Sequence, residues 1–180
     1  MNDMADRDSE EESGFAISED YGQSPTHRLE LGAGSGLVGL AVSLGCEPHR
    51  VVHITDQEPM MSLMRQNIAL NKLDDKVAAC VYSWGEGNAS PVPAYADVLL
   101  AADCVYFEPA FPLLEQSLHA LIGPSTTCYF CFKVRRRADL RFVKAVKKHF
   151  AVQAVEDDPD QHTYQRENIH LYTIKRKAGR

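Results

Sequence analysis

The stretch Arg28-Leu-Glu-Leu-Gly32-Ala-Gly34-Ser-Gly36-Leu-Val-Gly-Leu40 decides the fold. An apolar strand starting at Arg28 runs into glycines that recur at every second position, and an apolar helix from Leu37 to Leu44 follows until Gly45 stops it. Glycine permits a tight turn and a close approach of a ligand to the backbone, and the first turn of the helix offers unpaired amide donors. A strand that ends in such a loop and opens a helix is the first unit of a layered α/β domain.

Outward from that loop, short apolar runs alternate with helix-like segments. Val51 to Thr55 reads as a second strand closed by Asp56, and Pro59 to Leu70 as a helix with proline in its first turn. Val77 to Trp84 and Asp97 to Val105 read as strands three and four, and a helix from about Pro109 to Leu121 ends at Gly123-Pro124. Thr127 to Val134 makes strand five and Leu140 to His149 a helix; Val152 to Val155 and Ile169 to Ile174 are the last two strands. Strands separated by helices of this length imply parallel crossovers and a doubly wound sheet.

The chain has 180 residues and a net charge of -6, unevenly placed. Residues 1–20 hold eight acids and one arginine, so the remainder carries a balance near +1. A nearly neutral domain argues against a strongly basic nucleic-acid binder, and direct nucleic-acid contact is not expected. Residues 1–25 are rich in Asp, Glu, Ser and Gly with isolated apolar side chains, too few to offset chain entropy, and are expected to form a disordered acidic tail. Residues 26–180 are expected to form the folded domain. No apolar stretch is long enough for a spanning helix, and the acidic N-terminus does not resemble a signal peptide, so no membrane association and a cytoplasmic location are expected.

The cysteines at 46, 80, 104, 128 and 131 are odd in number and sit among apolar residues, which reads as reduced thiols. Cys128 and Cys131 have the spacing of half a zinc site, but on a strand residues three apart face opposite sides. No His-x-x-x-His pair lies on a plausible helix either, so no metal is expected.

A dinucleotide-binding loop reads Gly-x-Gly-x-x-Gly. The alternate-residue glycines here, with Glu30 ahead of them, point instead toward an S-adenosylmethionine site. Asp56 supports that cofactor: it stands about twenty residues beyond the loop at a strand end, where a carboxylate can accept from both ribose hydroxyls. Its plainer role is to cap the helix that follows.

Taken together, Glu30 to Leu40, Ile54-Thr-Asp56, Ser83-Trp-Gly85 and Ala101-Ala-Asp-Cys-Val-Tyr106 resemble the seven-strand protein-lysine methyltransferases of methyltransferase family sixteen. The resemblance covers roughly residues 27–177, and the run from Asp97 to Leu114 is most similar to the fungal branch that methylates translation elongation factor 1-alpha. It implies a Rossmann-like, mostly parallel sheet with an antiparallel last strand. It also implies a protein-lysine N-methyltransferase using S-adenosylmethionine, with elongation factor 1-alpha as the substrate.

Residue by residue, the resemblance assigns Gly32, Ala33 and Gly34 to the methionine and ribose side of the cofactor, with Glu30 and Gly36 of the same loop also expected to bind it. Asp56 falls on the ribose, Trp84 at the adenine, and Ala102 beside the sulfonium through its backbone. Asp103 and Tyr106 match the family's Asp-x-x-Tyr signature and are the implied catalytic pair, Asp103 orienting the substrate nitrogen and Tyr106 shaping the lysine channel. Lone buried carboxylates are costly, so an Asp103 inside an apolar run argues for function. For Tyr106 the competing role is a packed aromatic.

Two other readings remain open on the sequence: a methyltransferase acting on a non-protein substrate, and a truncated, catalytically silent cofactor-fold binding protein. The second arises because family members carry a Trp-containing segment ahead of the glycine loop, whereas only about 27 residues precede strand one here. An uncovered sheet face near strand one is expected from that, with more self-association than a longer relative, although the working state is expected to be a monomer. The basic run Lys133-Val-Arg-Arg-Arg137, continued by Arg141, Lys144, Lys147 and Lys148, reads either as a solvated surface or as a site for an acidic partner.

Overall fold

The computed structural model describes residues 26–46, 50–86, 92 and 96–178. The expected acidic tail over 1–25 lies outside the described residues. Seven strands form one sheet in the order β3-β2-β1-β4-β5-β7-β6: β1 Arg28–Leu31, β2 Val52–Asp56, β3 Val77–Val81, β4 Val98–Ala102, β5 Thr127–Lys133, β6 Phe150–Ala154 and β7 Ile169–Arg176. The first five pair in parallel, and β7 runs antiparallel to both β5 and β6. This is the Rossmann-like arrangement with an inverted last strand that the sequence resemblance implied.

Helices cover both faces because β-strand side chains alternate sides. Leu29 and Leu31 of β1 point into a core closed by α3 (Phe111–Leu121) and α4 (Arg137–His149), through Leu114, Leu118, Leu121, Phe142, Val143 and Val146. Val52 and Ile54 of β2 face a second core under α1 (Leu37–Gly45) and α2 (Met61–Leu70), with Leu40, Met64 and Ile68. The side chains of Leu29, Glu30 and Leu31 are all buried, so β1 presents no open face. Partial exposure falls farther along the sheet, on β5, where Tyr129 and Cys131 are half-buried while Cys128, Phe130 and Phe132 are fully covered. The opposite burial of Cys128 and Cys131 agrees with their expected divergence. All five cysteines are free, and no cluster of metal-ligating side chains occurs among the described residues.

Several boundaries differ from the sequence reading. Strand four stops at Ala102 rather than Val105, because Asp103 takes a left-handed backbone at φ 56° and turns the chain out of the sheet. Strand three likewise stops at Val81. Helix α4 starts at Arg137, three residues before Leu140, since the Asp139 carboxylate closes a capping box with residue 136. A short helix, α5 (Gln161–Arg166), escaped the sequence reading because it buries none of its residues and so carries no apolar stripe. No described helix is long and apolar enough to cross a membrane.

Candidate active site

All residues singled out on the sequence except Glu30 lie at or just beyond the carboxyl ends of β1 to β4. There the strand order reverses between β1 and β4, and open α/β sheets bind ligands at such a point. The glycine loop is built from backbone. Gly32, Gly34 and Gly36 adopt φ values of 66°, 56° and 85°, conformations that side-chain-bearing residues resist. The Ala33 amide donates to the Thr55 carbonyl at 2.9 Å, tying the loop to β2. The Gly34 amide donates to Asp56 Oδ2 at 2.8 Å, and the Gln57 amide to Asp56 Oδ1 at 2.7 Å. Each Asp56 oxygen thereby keeps further acceptor capacity on the half-buried side chain. A Cβ placed on Gly34 would meet nothing within 4 Å, so the outer side of the loop is open.

Glu30 faces away from that opening. It is only 2% exposed, and its Oε2 accepts the Gly39 amide of α1 at 2.8 Å. Burial pushes its carboxyl up to about 7, against the lowering effect of the Gly39 and Val38 amides and with a further push from Asp56. The geometry therefore gives Glu30 the task of anchoring α1 beneath the loop. Asn67 of α2 was not foreseen as a site residue, yet its Nδ2 donates to the Ser35 carbonyl at 2.8 Å and holds the loop from the other side. A polar side chain in the otherwise apolar stripe of α2 was the available signal.

Trp84 follows β3 and lies against the backbone of Gly32, where a Cβ would stand 2.9 Å from its Cζ2. The neighbouring Gly85 amide is fixed by Ser117 Oγ of α3 at 2.9 Å. Ala102 ends β4 opposite Cys131 of β5. Beyond it, Asp103 is not buried, contrary to the sequence expectation; its side chain is about half exposed because the left-handed turn aims it outward. Tyr106 is 67% exposed and Phe107 54%, which removes the packed-aromatic alternative for Tyr106. The buried residues of this turn are Cys104 and Val105, and the Cys104 Sγ donates to the Leu31 carbonyl at 3.3 Å.

The largest departure concerns the basic run. Arg135 closes a two-pronged pair on Asp103, Nη1 to Oδ1 at 2.6 Å and Nη2 to Oδ2 at 2.9 Å. Arg136 Nη2 donates to the Val105 carbonyl at 2.9 Å, and Arg141 Nη2 to Glu108 Oε1 at 2.7 Å. Three arginines thus strap residues 103–108 to the start of α4. The strap hangs on Asp139, 1% exposed, which accepts the amides of Arg135 and Arg136 at 2.9 Å each and pairs with the Arg136 guanidinium. Burial alone raises an acid's pKa, but here those amides and the guanidinium outweigh it and hold the Asp139 carboxyl below its ordinary value.

This arrangement joins a glycine loop tied to a strand-end aspartate with an Asp-x-x-Tyr turn at the next strand. A sequence profile described as lysine methyltransferase matches residues 6–149. The chain belongs to that family. Among its relatives, protein-lysine N-methyltransferase EFM6 of Saccharomyces cerevisiae is 36% identical over 165 residues, covering 83% of this chain and 66% of that protein. EEF1A lysine methyltransferase 3 of Mus musculus is 32% identical over 152 residues, covering 83% of this chain and 61% of that protein. The chain therefore spans about two thirds of the length of these relatives. The crystal structure of an O-methyltransferase from neocarzinostatin biosynthesis, in complex with S-adenosyl-L-homocysteine, superimposes with a TM-score of 0.61 at 16% identity. It covers 84% of this chain and 50% of its own, and at that identity it supports the fold.

Proposed function

We propose that this chain is an S-adenosylmethionine-dependent protein-lysine N-methyltransferase acting on translation elongation factor 1-alpha. The observation that carries the reading is the placement of Asp103 and Tyr106 at the mouth of β4, beside a glycine loop whose Gly34 amide is held by Asp56. The family of the chain and the name of its murine relative, an EEF1A lysine methyltransferase, support the substrate.

The donor set fits the cofactor. Open space outside Gly34 admits a ligand to the backbone, and Asp56 keeps acceptor sites suited to two ribose hydroxyls. The half-buried Trp84 offers an indole beside the loop for adenine. When bound, S-adenosylmethionine supplies a methyl carbon made electrophilic by its positively charged sulfur. The chain must bring a lysine nitrogen to about 3 Å from that carbon, in line, with its lone pair free. Asp103 accepts an N–H of the incoming nitrogen and sets its direction, while the exposed Tyr106 forms a wall of the lysine channel. Ala102 contributes backbone at the floor. Glu30, buried under the loop, acts by fixing α1 rather than by touching the ligand.

The same reading takes the working protein as a cytoplasmic monomer. Five unpaired cysteines suit a reducing compartment.

The test is incubation of the full chain with methyl-labelled cofactor and purified elongation factor 1-alpha, followed by mass spectrometry of the factor's lysines. Label on a lysine, lost by about a hundredfold or more with Asp103→Ala, is the expected result. Cofactor bound in calorimetry with no lysine labelled would overturn the substrate; no cofactor binding would overturn the activity.

A further inference from the structure

The Asp103 carboxylate is covered on both oxygens by one guanidinium. Chemically this matters because methyl transfer needs an amine, and a lysine side chain in water is an ammonium up to a pH of about 10.4. A bare carboxylate next to that nitrogen would stabilise the ammonium and hold back the nucleophile. A carboxylate paired with a guanidinium keeps lone pairs for an N–H donor while most of its charge is cancelled.

We infer that Arg135 tunes the substrate nitrogen: by neutralising Asp103 it lets the aspartate orient lysine without trapping it as an ammonium. The inference rests on the lysine methyltransferase reading above and adds a positioning and charge-setting residue to it. The nitrogen sheds one proton to solvent; its lone pair would then form the N–C bond as the S–C bond to the methyl breaks and leaves its electron pair on the cofactor's sulfur, and the Asp103–Arg135 pair makes the proton loss easier than Asp103 alone would.

The surroundings leave Arg135 as the charge that balances Asp103. Within the turn, Cys104 is buried and its thiol is held neutral by burial; Glu108 is taken by Arg141. From β5, the Cys131 thiol is also pushed up by burial, and Lys133 lies 3.9 Å from Glu167 beyond α5. From the start of α4, Arg136 is engaged by Asp139 and the Val105 carbonyl. Geometry makes the pairing specific. Ala102 and Cys131 are partners across β4 and β5, so Asp103 leaves the sheet beside the last residues of β5, and the amide of Arg135, two residues past the end of that strand, is pinned to Asp139 Oδ2. A planar two-pronged donor fits a carboxylate in a way that an ammonium does not.

The experiment compares the pH dependence of kcat for methylation of elongation factor 1-alpha by the full chain and by Arg135→Gln and Arg135→Lys, with cofactor affinity measured in parallel. The alkaline rise of kcat is expected to move up by about one pH unit in Arg135→Gln. That makes a loss of roughly tenfold near neutral pH, largely recovered above pH 9, with cofactor affinity unchanged. Arg135→Lys, which keeps the charge and loses the fork, is expected to hold the wild-type pH position at a reduced rate. An active wild type whose Arg135→Gln profile is lowered equally at every pH would overturn the inference alone, since a merely structural arginine predicts that result. A wild type that labels no lysine at any pH would overturn the underlying reading and the inference with it.

Discussion

The two loops that face each other across the site are stiffened by opposite means. The glycine loop after β1 is gripped at its own main chain: three left-handed glycines, the Ala33 amide on the β2 backbone, the Gly34 amide on the Asp56 carboxylate and the Ser35 carbonyl on Asn67. The turn after β4 is held by side chains that arrive from about thirty residues later in the chain, Arg135, Arg136 and Arg141. Backbone bonds between paired strands are shielded and fix a single geometry. Half-exposed guanidinium–carboxylate pairs contribute little to stability but set charge and direction. The first loop therefore behaves as scaffold and the second as an adjustable surface, and substitutions on the two sides should separate stability from chemistry.

The largest expected contrast is electrostatic and lies under the glycine loop. Glu30 has a folded pKa of about 7 against an ordinary 4.5. Folding thus favours its protonated form, and its contribution to stability is full below pH 4.5 and is lost as pH rises through about 7. The loss is on the order of 3 kcal/mol, with the native state the proton-binding partner in that window. Glu30→Gln keeps an oxygen for the Gly39 amide and carries no charge. Urea denaturation from pH 5 to 8 should show stability falling in the wild type relative to the variant, whose midpoint at pH 8 should be the higher. Parallel curves would contradict a buried, strained carboxylate.

Next in size is Gly32→Ala. The residue sits at φ 66°, and a Cβ would stand 2.9 Å from Trp84 Cζ2 and 3.2 Å from Cys104 Sγ. Strain and crowding together predict a loss of about 2 kcal/mol, measurable as a lower denaturation midpoint. A variant as stable as the wild type would show that the loop is less constrained than its backbone bonds imply. The smallest effect belongs to the far end of the strap. Arg141 and Glu108 are 62% and 51% exposed, so Arg141→Ala should change stability by less than about 1 kcal/mol. A thermal shift well beyond that would move the arginine strap from surface tuning into the scaffold.

Legibility followed the same division. Glycine spacing, the strand-end Asp56 and the order of elements were readable because each rests on a local backbone requirement or on periodicity. The Asp-x-x-Tyr turn was readable from its motif, but its setting was not. Asp103 lay in a continuous apolar run and was expected to be buried, whereas a single left-handed residue ends the strand there. The basic run 133–137 was expected to meet solvent or a partner, and its first arginines instead close on the turn of the neighbouring strand. The register of β4 on β5 held the missing clue, since Ala102 opposite Cys131 brings Asp103 out of the sheet beside the last residues of β5, which lead directly into Arg135.

By itself, the sequence determined the seven-strand layered sheet, the glycine loop, the aspartate beside it and the family to which the chain belongs, because those depend on residue order and local conformation. Only the tertiary structure decided that Glu30 anchors a helix, that Asp103 is exposed, and that Arg135 pairs with both of its oxygens. Those facts depend on which strand ends become neighbours and on how much water remains around a charge, and neither is written in any short stretch of residues.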